Sequence, residues 1–298
     1  QKGGVSINAC NKDGWSPLLV STQKQQHSIV ELLLSLGADI HQTHVINGTF
    51  PLIWAARKKD LTMLNLLLSH GANPNQSSFG GQTTLLHATE QGDEEIVKSL
   101  LARKADFSLT NDAGYSPLLQ ACTYGHLSIV QALLAAGADP NQASKDENVW
   151  PLAVAVRNPT DHSEAVVRAL LDNRQHPADV NRRYSDGSSV LTLAASWFNI
   201  PMLTLLLEYN ADPNLCSATN LSALLLAIIR ADSAEPEIVG EVVRLLLQHQ
   251  ADPGVMSEKL ATPLHQAVQK GMDGVGHTLL DAGANINAVS VGGYTPLM

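Results

Sequence analysis

GYSPLLQACTYGHLSIVQALLAAGADPN, residues 114–141, holds the pattern that decides the fold. Ser116 precedes Pro117 and Leu118, the order of an N-cap followed by a proline whose fixed φ and missing N–H suit the first turn of a helix. Ala121 stands four places after the proline, small enough for a neighbouring helix to approach closely. Ile129, Val130, Leu133 and Leu134 then lay out an i, i+3, i+4 apolar stripe. Gly137-Ala138-Asp139 closes it, glycine fitting the left-handed position just past a helix. One such unit is two short helices and a polar turn.

The unit recurs along the whole chain. Its start stands as Ser16-Pro17-Leu18, Phe50-Pro51-Leu52, Trp150-Pro151-Leu152, Thr262-Pro263-Leu264 and Thr295-Pro296-Leu297, with degenerate copies at Thr84-Leu85, Val190-Leu191 and Ala223-Leu224. The spacings are 34, 33, 33, 34, 39, 33, 40 and 33 residues. A period near 33 excludes an ordinary two-domain globule of 298 residues and predicts a stacked array, because one helix pair cannot bury its own apolar face. The register gives a single array over 1–298, with the tail of a preceding repeat at 1–12, eight complete repeats over 13–291 and the start of a ninth at 292–298. The open ends read as those of a piece cut from a longer chain. Two insertions are expected as loops: one shared between Asn158–Glu164 and Asn173–Pro177, the other around Asp232–Glu237.

These motifs resemble those of the ankyrin-repeat family. The resemblance implies an all-α repeat solenoid, a helix-turn-helix stack with β-hairpin fingers. It also implies a non-catalytic protein–protein interaction scaffold whose fingers and inner helices line a concave groove. The family's histidine at the helix start survives only as His265, so the inter-repeat hydrogen bonds it brings must elsewhere be absent or replaced.

Composition narrows the function further. Hydrophobic residues at 44% supply a core, and 19 Lys and Arg against 28 Asp and Glu leave a charge of −9, which gives a nucleic-acid partner no global support. Three cysteines without a CxxC pair fit neither a disulfide framework nor a zinc ribbon. They point to a reducing, cytoplasmic compartment, with the nucleus as the alternative. No apolar run approaches the roughly 20 residues of a membrane span, so membrane insertion is not expected. No P-loop, HExxH or GxSxG occurs, so the chain is read as no enzyme, without catalytic residues, cofactor or metal. His41 and His44 are the closest histidine pair and would need further ligands at the same edge.

The candidate partner-binding residues follow from register. Trp15 and Tyr115 occupy the finger position, Trp54 the inner-helix position, and Tyr124 and Trp197 lie a turn further on. Tryptophan is frequent as a binding anchor, although such rings also pack on a neighbouring finger and seal a stack. Trp150, at a cap position, is read as packing. Arg57, Lys58, Arg157 and Arg230 fall at the ends of first helices, in a register carrying six basic and one acidic residue. The helix dipole favours cations there as well, and the two readings are compatible. The leading expectation is a partner segment carrying acidic and apolar residues. The alternatives are a small-molecule or nucleotide sensor regulating an attached enzyme, and an architectural spacer in a large assembly.

Overall fold

The computed structural model describes residues 6–158 and 160–298. Among the described residues the helices form eight consecutive pairs. The inner members are α1 (Pro17–Gln23), α3 (Pro51–Arg57), α5 (Thr84–Glu90), α7 (Pro117–Tyr124), α9 (Pro151–Arg157), α11 (Val190–Ser196), α13 (Ala223–Ile229) and α15 (Pro263–Gln269). The outer members are α2 (His27–Ser35), α4 (Leu61–Ser69), α6 (Glu94–Ala102), α8 (Leu127–Ala135), α10 (Ser163–Leu171), α12 (Ile200–Glu208), α14 (Pro236–Gln248) and α16 (Asp273–Asp281). Each pair begins where the Pro-Leu register predicts.

The chain divides into two compact units with the boundary inside α9: Gln1–Val154 with Thr160–His162 and Asn173–His176, and Ala155–Pro159 with Ser163–Asp172 and Pro177–Met298. In the first, α1, α3, α5 and α7 pack in succession, and behind them α4, α6 and α8. In the second, α11, α13 and α15 form one row and α10, α12, α14 and α16 the other. The leucine pairs and the register alanines fill the interiors: Ala55, Ala88, Leu67, Leu133, Ala194, Leu206 and Ala227 are wholly buried.

Inner helices start on side-chain caps. The Ser16 hydroxyl accepts from Leu19 N–H at 3.3 Å, Ser116 from Leu119 at 3.3 Å and Thr262 from His265 at 3.4 Å. The degenerate starts keep the same cap in Thr83, Ser189 and Ser222. Phe50 replaces the cap at α3 with a fully buried ring, and Trp150, fully buried at the same register before α9, bears out its reading as packing.

Three details depart from the sequence reading. The fingers are not β-hairpins with ladders: among the described residues there is no strand, only isolated bridges at Ser77–Thr83 and Arg183–Ser189. Each finger is a short turn closed by one backbone bond, such as Asn11 N–H to Trp15 C=O at 2.9 Å or Ser78 N–H to Gln82 C=O at 2.9 Å. Spans as short as Asn11–Trp15 and His44–Thr49 leave no length for a second rung. The insertion near Asp232 is only partly loop, because it folds as a 3₁₀ turn (Ala231–Ser233) and lengthens α14 to 13 residues from Pro236. Tyr294–Met298 ends in a turn rather than in helix, Met298 N–H bonding Thr295 C=O at 3.1 Å.

Polar side chains tie successive repeats together where the family histidine is missing. Asp39 N–H donates to Asn8 Oδ1 at 2.8 Å, Asp106 N–H to Asn75 Oδ1 at 2.7 Å, Asp212 N–H to Asn181 Oδ1 at 2.8 Å and Asp252 N–H to Asn214 Oδ1 at 2.8 Å. His265 itself joins Thr262 Oγ1 at 2.8 Å and Tyr294 C=O at 3.0 Å, so it bridges two repeats. Thr192 supplies the local half of that role with Ser189 at 3.0 Å.

Candidate partner-binding face

In the first unit the fingers and inner helices bring Trp15, His44, Trp54 and Arg57 into one cluster. The Trp15 ring lies 4.5 Å from His44 and 5.6 Å from Trp54, both tilted. Arg57, one helical turn after Trp54, places its guanidinium 5.2 Å over the indole, within cation–π range. The indole N–H of Trp54 donates to Thr49 Oγ1 at 3.2 Å, and Thr49 donates in turn to Asn47 Oδ1 at 2.7 Å. The same Asn47 oxygen accepts from His44 Nδ1 at 3.1 Å, which makes Nδ1 the protonated nitrogen. The finger turn therefore fixes both neighbouring rings.

Arg57 also acts on the next inner helix. Burial first, and then the Arg57 charge, hold His87 below its ordinary pKa, with Asp93 opposing them. Partial burial lowers Arg57 itself. Neither Arg57 nor Lys58 forms an ion pair among the described residues. Neighbouring Lys59 is paired with Asp93 at 2.9 Å. Arg57 thus keeps its fork of donors available on an aromatic platform.

The depressed His87 predicts an acid sensitivity. The unfolded state takes up the proton more readily, so stability declines as pH falls through about 6.5, the free value, toward the lower folded one. His87→Gln should flatten that part of the stability–pH profile between pH 7 and 5 in urea titrations. A profile of unchanged steepness would show that His87 is not responsible.

The remaining predicted residues are more dispersed. Tyr115 stands half-buried on its finger and, among the described residues, outside the Trp15–Trp54 stack. Tyr124 is 48% exposed and lies 5.9 Å from His126, nearly parallel to it. Arg157, Trp197 and Arg230 belong to the second unit. Arg157 is exposed in the last turn of α9, and Trp197 and Arg230 are exposed at the C-caps of α11 and α13. Lys58 likewise occupies the C-cap of α3, where the dipole argument places a cation. Sequence reasoning did not find His44 as a ring partner. It also missed the apolar fingertips Val45, Ile46 and Phe79, which are 64%, 71% and 67% exposed. The signal was present, since other fingers carry Lys12-Asp13, Lys145-Asp146 or Glu258-Lys259 where these stand.

His41 and His44 diverge: His41 Nδ1 meets Gln76 Oε1 at 3.4 Å, while His44 is buried against Trp15. Among the described residues no cluster of three His, Cys, Asp or Glu is gathered. None of their helices is long and apolar enough to cross a membrane.

The sequence profile for ankyrin repeats in three copies matches residues 2–78, 52–144, 85–184 and 191–290. The chain belongs to the ankyrin-repeat family. Of the solved structures it resembles, one is the ankyrin repeat domain of Bcl-3, described as a unique member of the IkappaB protein family. The identity is 25% and the TM-score 0.68, over 78% of this chain and all of the other. Ankyrin repeats are in general protein–protein interaction modules and typically non-catalytic, and this ankyrin-repeat chain shares their all-helical fold.

Proposed function

We propose that the first unit is a receptor for a segment of another protein, and that the Trp15–Trp54–Arg57 cluster is its anchor. The supporting observation is Arg57, exposed and lying over Trp54 at 5.2 Å, with no carboxylate of its own chain in ion-pair contact among the described residues. Structural arginines normally find a partner within the fold, whereas a guanidinium held over an indole is preorganised for an incoming carboxylate. Trp15, Trp54 and the apolar fingertips supply area for a large side chain next to it. The fitting partner is therefore a segment with an acidic residue beside apolar ones, and its attachment should weaken with salt because the charges are near the surface.

Peptides selected from a random displayed library on the full chain test this. Selected sequences should pair an acidic residue with large apolar ones. Trp54→Ala combined with Arg57→Glu should lower their affinity by more than about tenfold, as expected for a binding anchor. Circular dichroism must match the parent, and Arg57→Glu alone serves if the double variant is destabilised. Undiminished capture by a folded variant would refute the assignment.

A further inference from the structure

The second unit holds a separate recess of about 340 Å³ between the fingers that precede α11 and α13 and those helices themselves. Leu193, Leu221 and Leu226 line it with apolar surface, while Asp186 and Arg230 bring opposite charges into the same lining. Two of its hydroxyls, those of Ser188 and Ser196, are already committed as donors. Ser188 Oγ donates to Asp186 Oδ1 at 2.6 Å, and Ser196 Oγ donates to Leu193 C=O at 2.9 Å. Those two have only lone pairs left to offer a ligand. Asp186 accepts from the Ser188 N–H as well, at 2.9 Å, and these bonds hold its carboxyl below the ordinary range and therefore ionised. Neither Asp186 nor Arg230 forms an ion pair among the described residues. Asp232, which follows Arg230 closely, is instead bound to Lys270.

The wall near Asp186 thus calls for a donor, and Arg230 calls for an anion. We propose that this recess binds an extended peptide segment carrying one cationic side chain on Asp186 and one carboxylate on Arg230, with an aliphatic stem across Leu193, Leu221 and Leu226. The pattern differs from that of the first unit, where the cluster presents only positive charge. A purely acidic segment would leave Asp186 facing like charge. A purely basic one would do the same to Arg230.

The test uses synthetic dodecapeptides on an alanine–serine background, each with one lysine and one glutamate, at spacings of one to six residues and in both orders. Against the full chain, one spacing and order should bind best. Asp186→Asn and Arg230→Gln should each weaken it by roughly tenfold, as for charge-assisted contacts. The exchange Asp186→Arg with Arg230→Glu should transfer the preference to the peptide of reversed order. All the substituted side chains are exposed, and matched melting curves confirm intact folding. Binding indifferent to spacing and order, binding unaltered in both single variants, or no binding above the uncharged peptide each overturns the proposal. The recess shares no residue with the Trp54–Arg57 cluster, so such a failure leaves the first unit's role standing.

Discussion

Trp150→Ala is expected to cost about 3–5 kcal/mol of stability, whereas Trp197→Ala should change it by only about 0.5 kcal/mol. Both tryptophans are candidates for the same two roles when judged by residue type alone. Trp150 is 0% exposed and Trp197 is 47% exposed, so the first fills interior volume and the second mainly meets water. Truncating Trp150 removes its transfer free energy and leaves a cavity that helices fixed by a 33-residue register cannot close. The buried ring also stands at the position where Ser16, Ser116 and Thr262 provide caps, so alanine would restore no cap. Urea unfolding followed by far-UV circular dichroism reads the difference directly. Equal midpoint shifts for the two variants would contradict the assignment of Trp150 to the interior.

The contrast shows which information the sequence carries. The repeat period, the capping residues and the leucine pairs place the helix pairs of the described residues from sequence alone, because each depends on chemistry within one unit. The inter-unit part of the site is harder. Trp15 and Trp54 stand at finger and inner-helix positions of successive repeats, but their contact also depends on Asn47 and Thr49 turning His44 and the Trp54 indole into place. Tyr115 shares the finger position of Trp15 and stays outside the stack, because Ser144 and Val154 stand in the following repeat where His44 and Trp54 meet Trp15. The recess around Asp186 is invisible at this level. Ser188 and Asp186 look like ordinary turn residues, and only the bonds between them show that the serine hydroxyl is spent while the carboxylate still faces the recess. The boundary inside α9 was likewise unmarked by any break in the leucine pattern.

Fingers contact one another as well as the helices, and Gly114→Ala should expose how much that matters. Gly114 has φ +82°, and a Cβ there would lie 2.4 Å from the backbone nitrogen of Lys145 on the following finger. That nitrogen donates to Ala113 C=O at 3.3 Å, so the alanine methyl would press on a backbone-to-backbone link rather than on a yielding side chain. The left-handed conformation costs about 1–2 kcal/mol in an L-residue and forced overpacking about 1–3 kcal/mol. Gly37 is the internal control: its φ is +86°, but nothing lies within 4 Å of a Cβ there, so Gly37→Ala should incur only the conformational part. The expected losses are about 2–5 kcal/mol for Gly114 and about 1–2 kcal/mol for Gly37 in the same urea assay. Because fingers and inner helices together form the candidate partner-binding face, Gly114→Ala should also disturb Tyr115, the next residue, more than any residue near Gly37. If both variants lost the same stability, close finger-to-finger contact would have no energetic role, and the fingers would have to be treated as independent loops.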